Sequence, residues 1–374
     1  MHDKLGGLRV GLLAFCLSAV SAVPASAGDV TIAVVGPLTG SLGPEGQRLV
    51  DGVSLAIDAI NATGGLLGQK LTSVDFDDSC DTDQAAAAAA SAIAAGPSLI
   101  VGHFCSAASI RAAPLYAKAG ILHMSPISVS PKLTELGIPT LFRISGRTDR
   151  EAIVIAQAIT VRWPTRRIAV LDDGSVFGKG LADAVRQGLA ERHIPVQMSS
   201  GYRPEAGTYV DIVAPLKDQK IDLLFLGGYS ADIGLLVRQI GEAGLSIQSL
   251  TDPAAADVAF SQIAGKAAEG VMFTASPDPT ASSAVAPLIA AARARQIDMS
   301  PRIANAYAAV EVWAAAVRRA QSFDTAKVGA TLHATSFDTV LGPVSFDAKG
   351  DNVGPAGEWV WYRWHGGKVE RAEP

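Results

Sequence analysis

The sequence predicts an α/β protein built from two doubly wound, Rossmann-like lobes. Three observations carry the prediction. From Asp29 onward, short apolar runs with strand character alternate with segments whose apolar residues recur at helical spacing. The alternation breaks near "LFRISGRTD" and then restarts, so there are two such runs. After an N-terminal leader is set aside, about 347 residues remain, a length that suits two domains. Strands alternating with helices imply parallel sheets covered on both faces.

In chain order, "VTIAVV" (Val30 to Val35) reads as a strand, followed by a Gly/Pro loop through Gly46. "QRLVDGVSLAIDAINA" sets Leu49, Val50, Val53, Ile57 and Ile60 on one helical face. "GGLLGQK" turns the chain into a second strand, "LTSVDFDD". Asp81 is placed to cap the Ala-rich helix that follows. "SLIVG" is the third strand, Ser106 opens the next helix, and "ILHMS" is the fourth strand. The second run begins after "LFRIS" with a helix from Thr148 to about Arg162. Strands "RRIAVLDD", "PVQMSSGY" and "DLLFLGGY" then alternate with helices "GKGLADAVRQGLAERH", "YVDIVAPLKDQ" and "ADIGLLVRQIGEAG". "IQSLTDP" and "GVMFTAS" are further strands. Late helices are expected near Ser282 to Gln296 and Ile303 to Gln321, packed back on the first lobe. Short strands close the chain at "GPVSFD" and "EWVWYRW". The expected division is residues 28–147 plus about 277–356 for the first lobe, and 148–276 plus about 357–374 for the second.

Residues 1–27 read as a secretory signal. Lys4 and Arg9 give a positive start, "VGLLAFCLSAVSAV" is an apolar run too short to span a bilayer, and "ASA" ending at Ala27 is a small-residue cleavage pattern. Export from the cytoplasm follows. Cys16 leaves with the leader, and the even pair Cys80 and Cys105 then sits in an oxidising compartment, where it is expected to form a disulfide. Such a bridge should stabilise the fold by roughly 3 kcal/mol on the chain-entropy model. The spacing suits no zinc site. The net charge is −5 for the whole chain, without a basic run, which argues against nucleic acid as a partner.

In open parallel sheets, ligands bind beyond the carboxyl ends of the strands. Those rims lack the motifs of common enzymes. The glycines of "GPLTGSLGPEG" have the wrong spacing for dinucleotide binding, and neither GxxxxGK[ST] nor a GxSxG elbow is present. No cofactor is expected. His103 reads as a packed rim residue. Asp77, Asp78 and Asp81 could in principle perform acid–base work, but read more simply as a solvated capping loop. Ser106 stands where a strand hands over to a helix, so its hydroxyl and the free N–H groups there could hold a carboxylate; the competing reading is that it only caps its own helix. Tyr229 follows two glycines and could stack on a ligand or pack between lobes, and Phe177 has the same two readings.

Long segments of the chain resemble the leucine/isoleucine/valine-binding proteins of ABC importers: "DVTIAVVGPLTG", "DGVSLAIDAINATGGLLGQKL", "DFDDSCDTDQ", "VGHFCSAAS", "AGILHMSPISVSPKLTELG", "GGYSADIGLLVRQIGEAGL" and "VLGPVSFDAKGD". The resemblance implies a type I periplasmic-binding fold, with two lobes joined by three crossovers and closing on a small molecule. It implies the Cys80–Cys105 bridge and a ligand set drawn from Ser106, Tyr229, Phe177, Ile127, Ser128, Val129, Glu45, Asp252 and Cys105. Several of these depart from the family. Its carboxylate-holding threonine falls on Val129, whose side chain cannot donate although its N–H can; Ser128 or Ser130 could replace it only if the loop shifts. Its ammonium-binding acid falls on Pro253, with Asp252 one place earlier. Its first-loop aromatic falls on Glu45, which at the cleft edge would repel an anion and attract a cationic or amide ligand.

The resulting expectation is a monomeric periplasmic receptor that captures a branched-chain amino acid, or a related amino acid or amide, and delivers it to a membrane permease. The alternatives are a receptor of the same fold for urea, amides or aromatic acids, a ligand sensor for a membrane receptor, or an exported enzyme using the Asp/Ser rim.

Overall fold

The computed structural model describes His2 and residues 28–374; the leader, its cleavage pattern and Cys16 lie outside the described residues. The first sheet is wholly parallel, in the order β2-β1-β3-β4-β5: Leu71–Asp77, Val30–Gly36, Leu99–Gly102, Leu122–Ser125 and Leu141–Arg143. The helices α1 (Gly43–Ala62), α2 (Thr82–Ala94) and α3 (Ser106–Lys118) connect its strands, and the short α4 (Pro131–Thr134) precedes β5. The interior strands β3 and β4 are buried at every residue, as strands covered on both faces must be.

The second sheet has the order β14-β13-β10-β9-β8-β6-β7. Its parallel part comprises β6 (Ile168–Asp172), β7 (Val196–Gly201), β8 (Leu223–Gly227), β9 (Gln248–Thr251) and β10 (Met272–Ala275). Around it lie α5 (Thr148–Arg162), α6 (Gly178–Glu191), α7 (Val210–Asp218), α8 (Ser230–Glu242) and α9 (Val258–Ala264). The closing strands β13 (Val360–His365) and β14 (Lys368–Arg371) add to its edge antiparallel, as a hairpin turned at Gly366 and Gly367.

Between β10 and β13 the chain returns to the first sheet. Helices α10 (Ala286–Ala294), α11 (Pro301–Ala320) and α12 (Thr325–Ala334) and the small ribbon β11 (Phe337–Thr339) and β12 (Gly342–Val344) follow. One hydrophobic cluster joins Leu288, Val310, Trp313, Leu332 and Val344 to Ile32, Leu49 and Val101. Gly52 permits the close crossing of α1 and α11, because a Cβ there would lie 2.5 Å from the Ile303 carbonyl oxygen.

Local chemistry explains most boundaries. The Asp81 carboxylate accepts from the N–H groups of Asp83 and Gln84 at 2.9 Å and so starts α2. Ser300 caps α11 through Ile303 N–H, and Asp324 caps α12 through Lys327 N–H. Three expectations are corrected. The first helix begins at Gly43, inside the expected Gly/Pro loop, because Pro44 suits a first helical turn, and Glu45 is therefore helical. The late helix expected from Ser282 is α-helical only from Ala286, after a 3₁₀ turn over Ser283–Val285. Helices α9 and α12 were not anticipated.

Candidate functional site

The first sheet and the parallel part of the second each change winding direction at one place, between β1 and β3 in the first and between β6 and β8 in the second. Such switch points open a crevice at the carboxyl ends of the strands. Ser106 lies just beyond β3, Phe177 just beyond β6, and Tyr229 just beyond β8. A cavity of about 470 Å³ lies there, between the body on the first sheet and the body on the second, and all three residues line it. Ile127, Val129, Asn305 and Phe104 line the first-body side; Pro253, Ala254 and Asp257 line the second. Ser145, Ser276 and Trp359, from the segments that pass between the two bodies, and Ala275 at the end of β10 also line it.

Ser106 occupies the first turn of α3, where no side chain caps the helix. Its hydroxyl oxygen accepts from Ser130 N–H at 3.3 Å, so the hydroxyl proton remains available to a ligand. The N–H groups of this turn and the positive end of the helix make the spot suited to a carboxylate. Behind it, Cys105 is bonded to Cys80, with Cα atoms 5.5 Å apart. The fully buried His103 is held between Asp78, at 2.5 Å from Nδ1, and the Tyr116 hydroxyl, at 2.9 Å from Nε2. His123 lies against this group; burial, with the His103 charge next, pushes its pKa down to about 3, and the neutral ring donates Nε2–H to the Gly102 carbonyl. The strand end that presents Ser106 is thus pinned by a covalent bond and a buried polar network.

An aromatic wall faces Ser106. The rings of Phe177 and Tyr229 lie 5.6 Å apart, and those of Tyr229 and Phe104 lie 6.2 Å apart, so contact is continuous from the second body to the first. Gly228 lets Tyr229 take this place, since a Cβ there would lie 2.1 Å from the Tyr202 hydroxyl.

Ser106, Phe177, Tyr229, Ile127 and Val129 therefore share one cavity, whereas four other candidates do not line it. Ser128 is buried beneath the loop, and its hydroxyl bonds to Ser109 and to the His103 and Phe104 carbonyls, so it braces the rim. Cys105 is buried in its disulfide and in the core cluster. Asp252 folds back on its own loop, accepting from Gly228 N–H at 2.8 Å and Ala254 N–H at 2.7 Å. Full burial raises its pKa to about 8 despite those two bonds. Glu45 presents no free charge at the cleft edge, which corrects the electrostatic expectation. It lies 2.7 Å from Arg48 Nη1 and 3.0 Å from Arg302 Nε. Burial raises its pKa, and the Arg302 and Arg48 charges oppose that rise.

Sequence reasoning did not single out Phe104, Arg48, Arg302, Asp257 or Trp359, although Phe104 and Asp257 fall on the strand-end rims where ligands are expected. Arg302 carried one signal. It sits in the first turn of α11, where the helix dipole disfavours a cation, so a compensating anion could have been sought.

Two α/β bodies with a cavity between their switch points define a two-lobed binding protein of the type I periplasmic class. Residues 29–368 match the family model described as "Periplasmic binding protein". The Leu/Ile/Val-binding protein of Escherichia coli K12 is 34% identical over 355 residues, covering 95% of this chain and 96% of that one. The leucine-specific-binding protein of Salmonella typhimurium is 32% identical, covering 98% of each chain. Among solved structures, the branched-chain amino acid transporter substrate binding protein LivJ from Streptococcus pneumoniae, solved with isoleucine, superposes with a TM-score of 0.84 at 24% identity, covering 92% of this chain and 99% of that one. The chain belongs to the periplasmic binding protein family.

Proposed function

We propose that this protein is the substrate-binding receptor of an ABC importer, located in the periplasm, and that it captures a branched-chain amino acid or a related amino acid or amide. The observation that carries this reading is the cavity between the two switch points, with Ser106 and the start of α3 on one side and the Tyr229–Phe177 wall on the other. In this reading the ligand carboxylate meets the Ser106 hydroxyl and the first N–H groups of α3. Its apolar body lies against Ile127, Val129, Phe177 and Tyr229. The names of the relatives support the ligand class.

The receptor acts by binding rather than turnover. Its lobes are residues 28–147 with about 277–356, and 148–276 with about 357–374, hinged at the three segments that run between the sheets. It works as a monomer, and the closed form docks on a membrane permease.

One observation favours a second reading. Asp257, the acid on the second-body side, is already bonded to Arg48 and Arg302, and four aromatic residues line the cavity. A carboxylate with an aromatic body and no ammonium would fit that inventory. Calorimetric titration with leucine, isoleucine, valine, their amides and benzoate separates the two. Saturable heat from an aliphatic amino acid supports the first reading, heat from benzoate alone supports the second, and silence from all contradicts the receptor function.

A further inference from the structure

Four charged side chains meet beside the cavity, and three of them, Arg48, Arg302 and Asp257, line it. Glu45 and Arg48 come from α1, and Arg302 comes from α11, both in the body of the first sheet. Asp257 comes from the loop before α9, in the body of the second sheet. Asp257 Oδ2 accepts from Arg48 Nη1 and, at 3.3 Å, from Arg302 Nη1. Arg48 and Arg302 also hold Glu45, and the Arg302 guanidinium lies 5.7 Å over the Phe104 ring, which fixes its plane. The Asp257 side chain is only 3% exposed. Its other oxygen accepts from Ala259 N–H at 2.7 Å, so the carboxylate is aimed by its own helix start.

The charge arithmetic depends on whether the bodies touch. With all four groups ionised the cluster is neutral: the Glu45 and Asp257 carboxylates repel each other across the cleft, and the two guanidinium groups between them offset that repulsion. Apart, the first body keeps two guanidinium groups against one carboxylate, and the second keeps a lone carboxylate. Opening therefore separates one net positive from one net negative charge and hydrates both. We propose that Asp257 is a cross-cleft latch, a residue that positions the second lobe against the first and favours closure before a ligand contributes. The latch also relieves the ligand of having to bridge the lobes by its own charges, which suits a small, net-neutral solute. In this last respect the inference rests on the receptor reading; the closure itself does not.

The test uses the mature chain, free of ligand, and compares its radius of gyration by small-angle scattering at 50 and 500 mM NaCl, on the order of 14 and 4 Å Debye length. Asp257→Asn keeps an acceptor for the α9 cap but drops the charge. Arg302→Gln weakens the latch from the other lobe and serves as an independent second variant. The wild type is expected to be more compact than both variants at low salt, with the difference shrinking at high salt. Equal radii for all three at both salts would overturn the latch. A second arm titrates L-leucine. Asp257→Asn is expected to bind roughly tenfold more weakly than wild type at 50 mM NaCl, in keeping with a charge-assisted bond. Equal affinity at both salts would also overturn the proposal. Wild-type protein that gives no heat with leucine would count against the amino-acid reading, and the scattering comparison, which needs no ligand, would still decide the latch.

Discussion

At Ser106 one hydroxyl and one helix start share the task of holding a carboxylate. Ser106→Ala removes the hydroxyl while leaving the N–H groups of α3, so ligand affinity is expected to fall about tenfold, the worth of a hydrogen bond to a charged group. The melting temperature of the free protein should move little, because the hydroxyl accepts a single 3.3 Å bond from Ser130 N–H. Calorimetry and thermal melting on one sample read both. Asp252 supplies a prediction in pH. Its carboxyl keeps a proton to about pH 8 in the folded chain, against an ordinary value of 3.8. The folded state therefore holds the extra proton between those values, and the linked stability is fully present below the lower value and is lost as pH rises through the upper one. Melting temperature is expected to fall between about pH 4 and pH 8 relative to Asp252→Asn, and the difference to level off above pH 8. Parallel profiles would contradict the assignment. At this scale the sequence revealed which residues follow which strands, so Ser106, Tyr229 and Phe177 were legible. It could not reveal that Asp252 turns back on Gly228, which depends on backbone angles. Nor could it reveal that Glu45 meets Arg302, which lies 257 residues away by number.

Secondary-structure elements were most legible where burial is complete. The runs at Leu99–Gly102 and Leu223–Gly227 are apolar throughout because both faces of their sheets are covered, and a helix could not be built from so short an unbroken run. Boundaries failed where helix and turn chemistry overlap, as at Pro44, and α12 was missed because its small residues, Ala, Gly and Thr, carry a weak periodic signal. Two cross-element ties lead to predictions. The disulfide pins the end of β2 to the start of α3, and replacing both Cys80 and Cys105 by Ser is expected to cost about 3 kcal/mol in denaturant unfolding. An unchanged midpoint would show that the bridge constrains nothing. Arg143, fully buried on β5, bonds to Asp351 at 2.8 Å and donates to the Ser128 and Ser130 carbonyls, so it shapes the loop that carries Val129. Asp351→Ala leaves that guanidinium without its carboxylate and is expected to destabilise by about 3–5 kcal/mol. A change below about 1 kcal/mol, the range of an exposed pair, would mean that water reaches the site.

For the molecule as a whole, a parallel sheet and the parallel part of a mixed sheet, wound the same way, bring their switch points to one cavity, and the candidate site follows from that juxtaposition. The fold class was legible because it needs only the order and period of apolar residues. The way the late helices join the first sheet was an expectation from economy, since α11 must cover Leu49 and Val53 with something apolar. The aromatic wall, the start of α3 and the four-charge cluster at Asp257 together draw their residues from both bodies. The most direct test is a crystal structure of the mature protein grown with whichever of leucine, isoleucine, valine or benzoate binds most tightly in calorimetry. The ligand carboxylate is expected within hydrogen-bond distance of the Ser106 hydroxyl and the first N–H groups of α3, with the ligand body against Tyr229 and Phe177. A ligand seated elsewhere, or one whose carboxylate points away from α3, would contradict that placement.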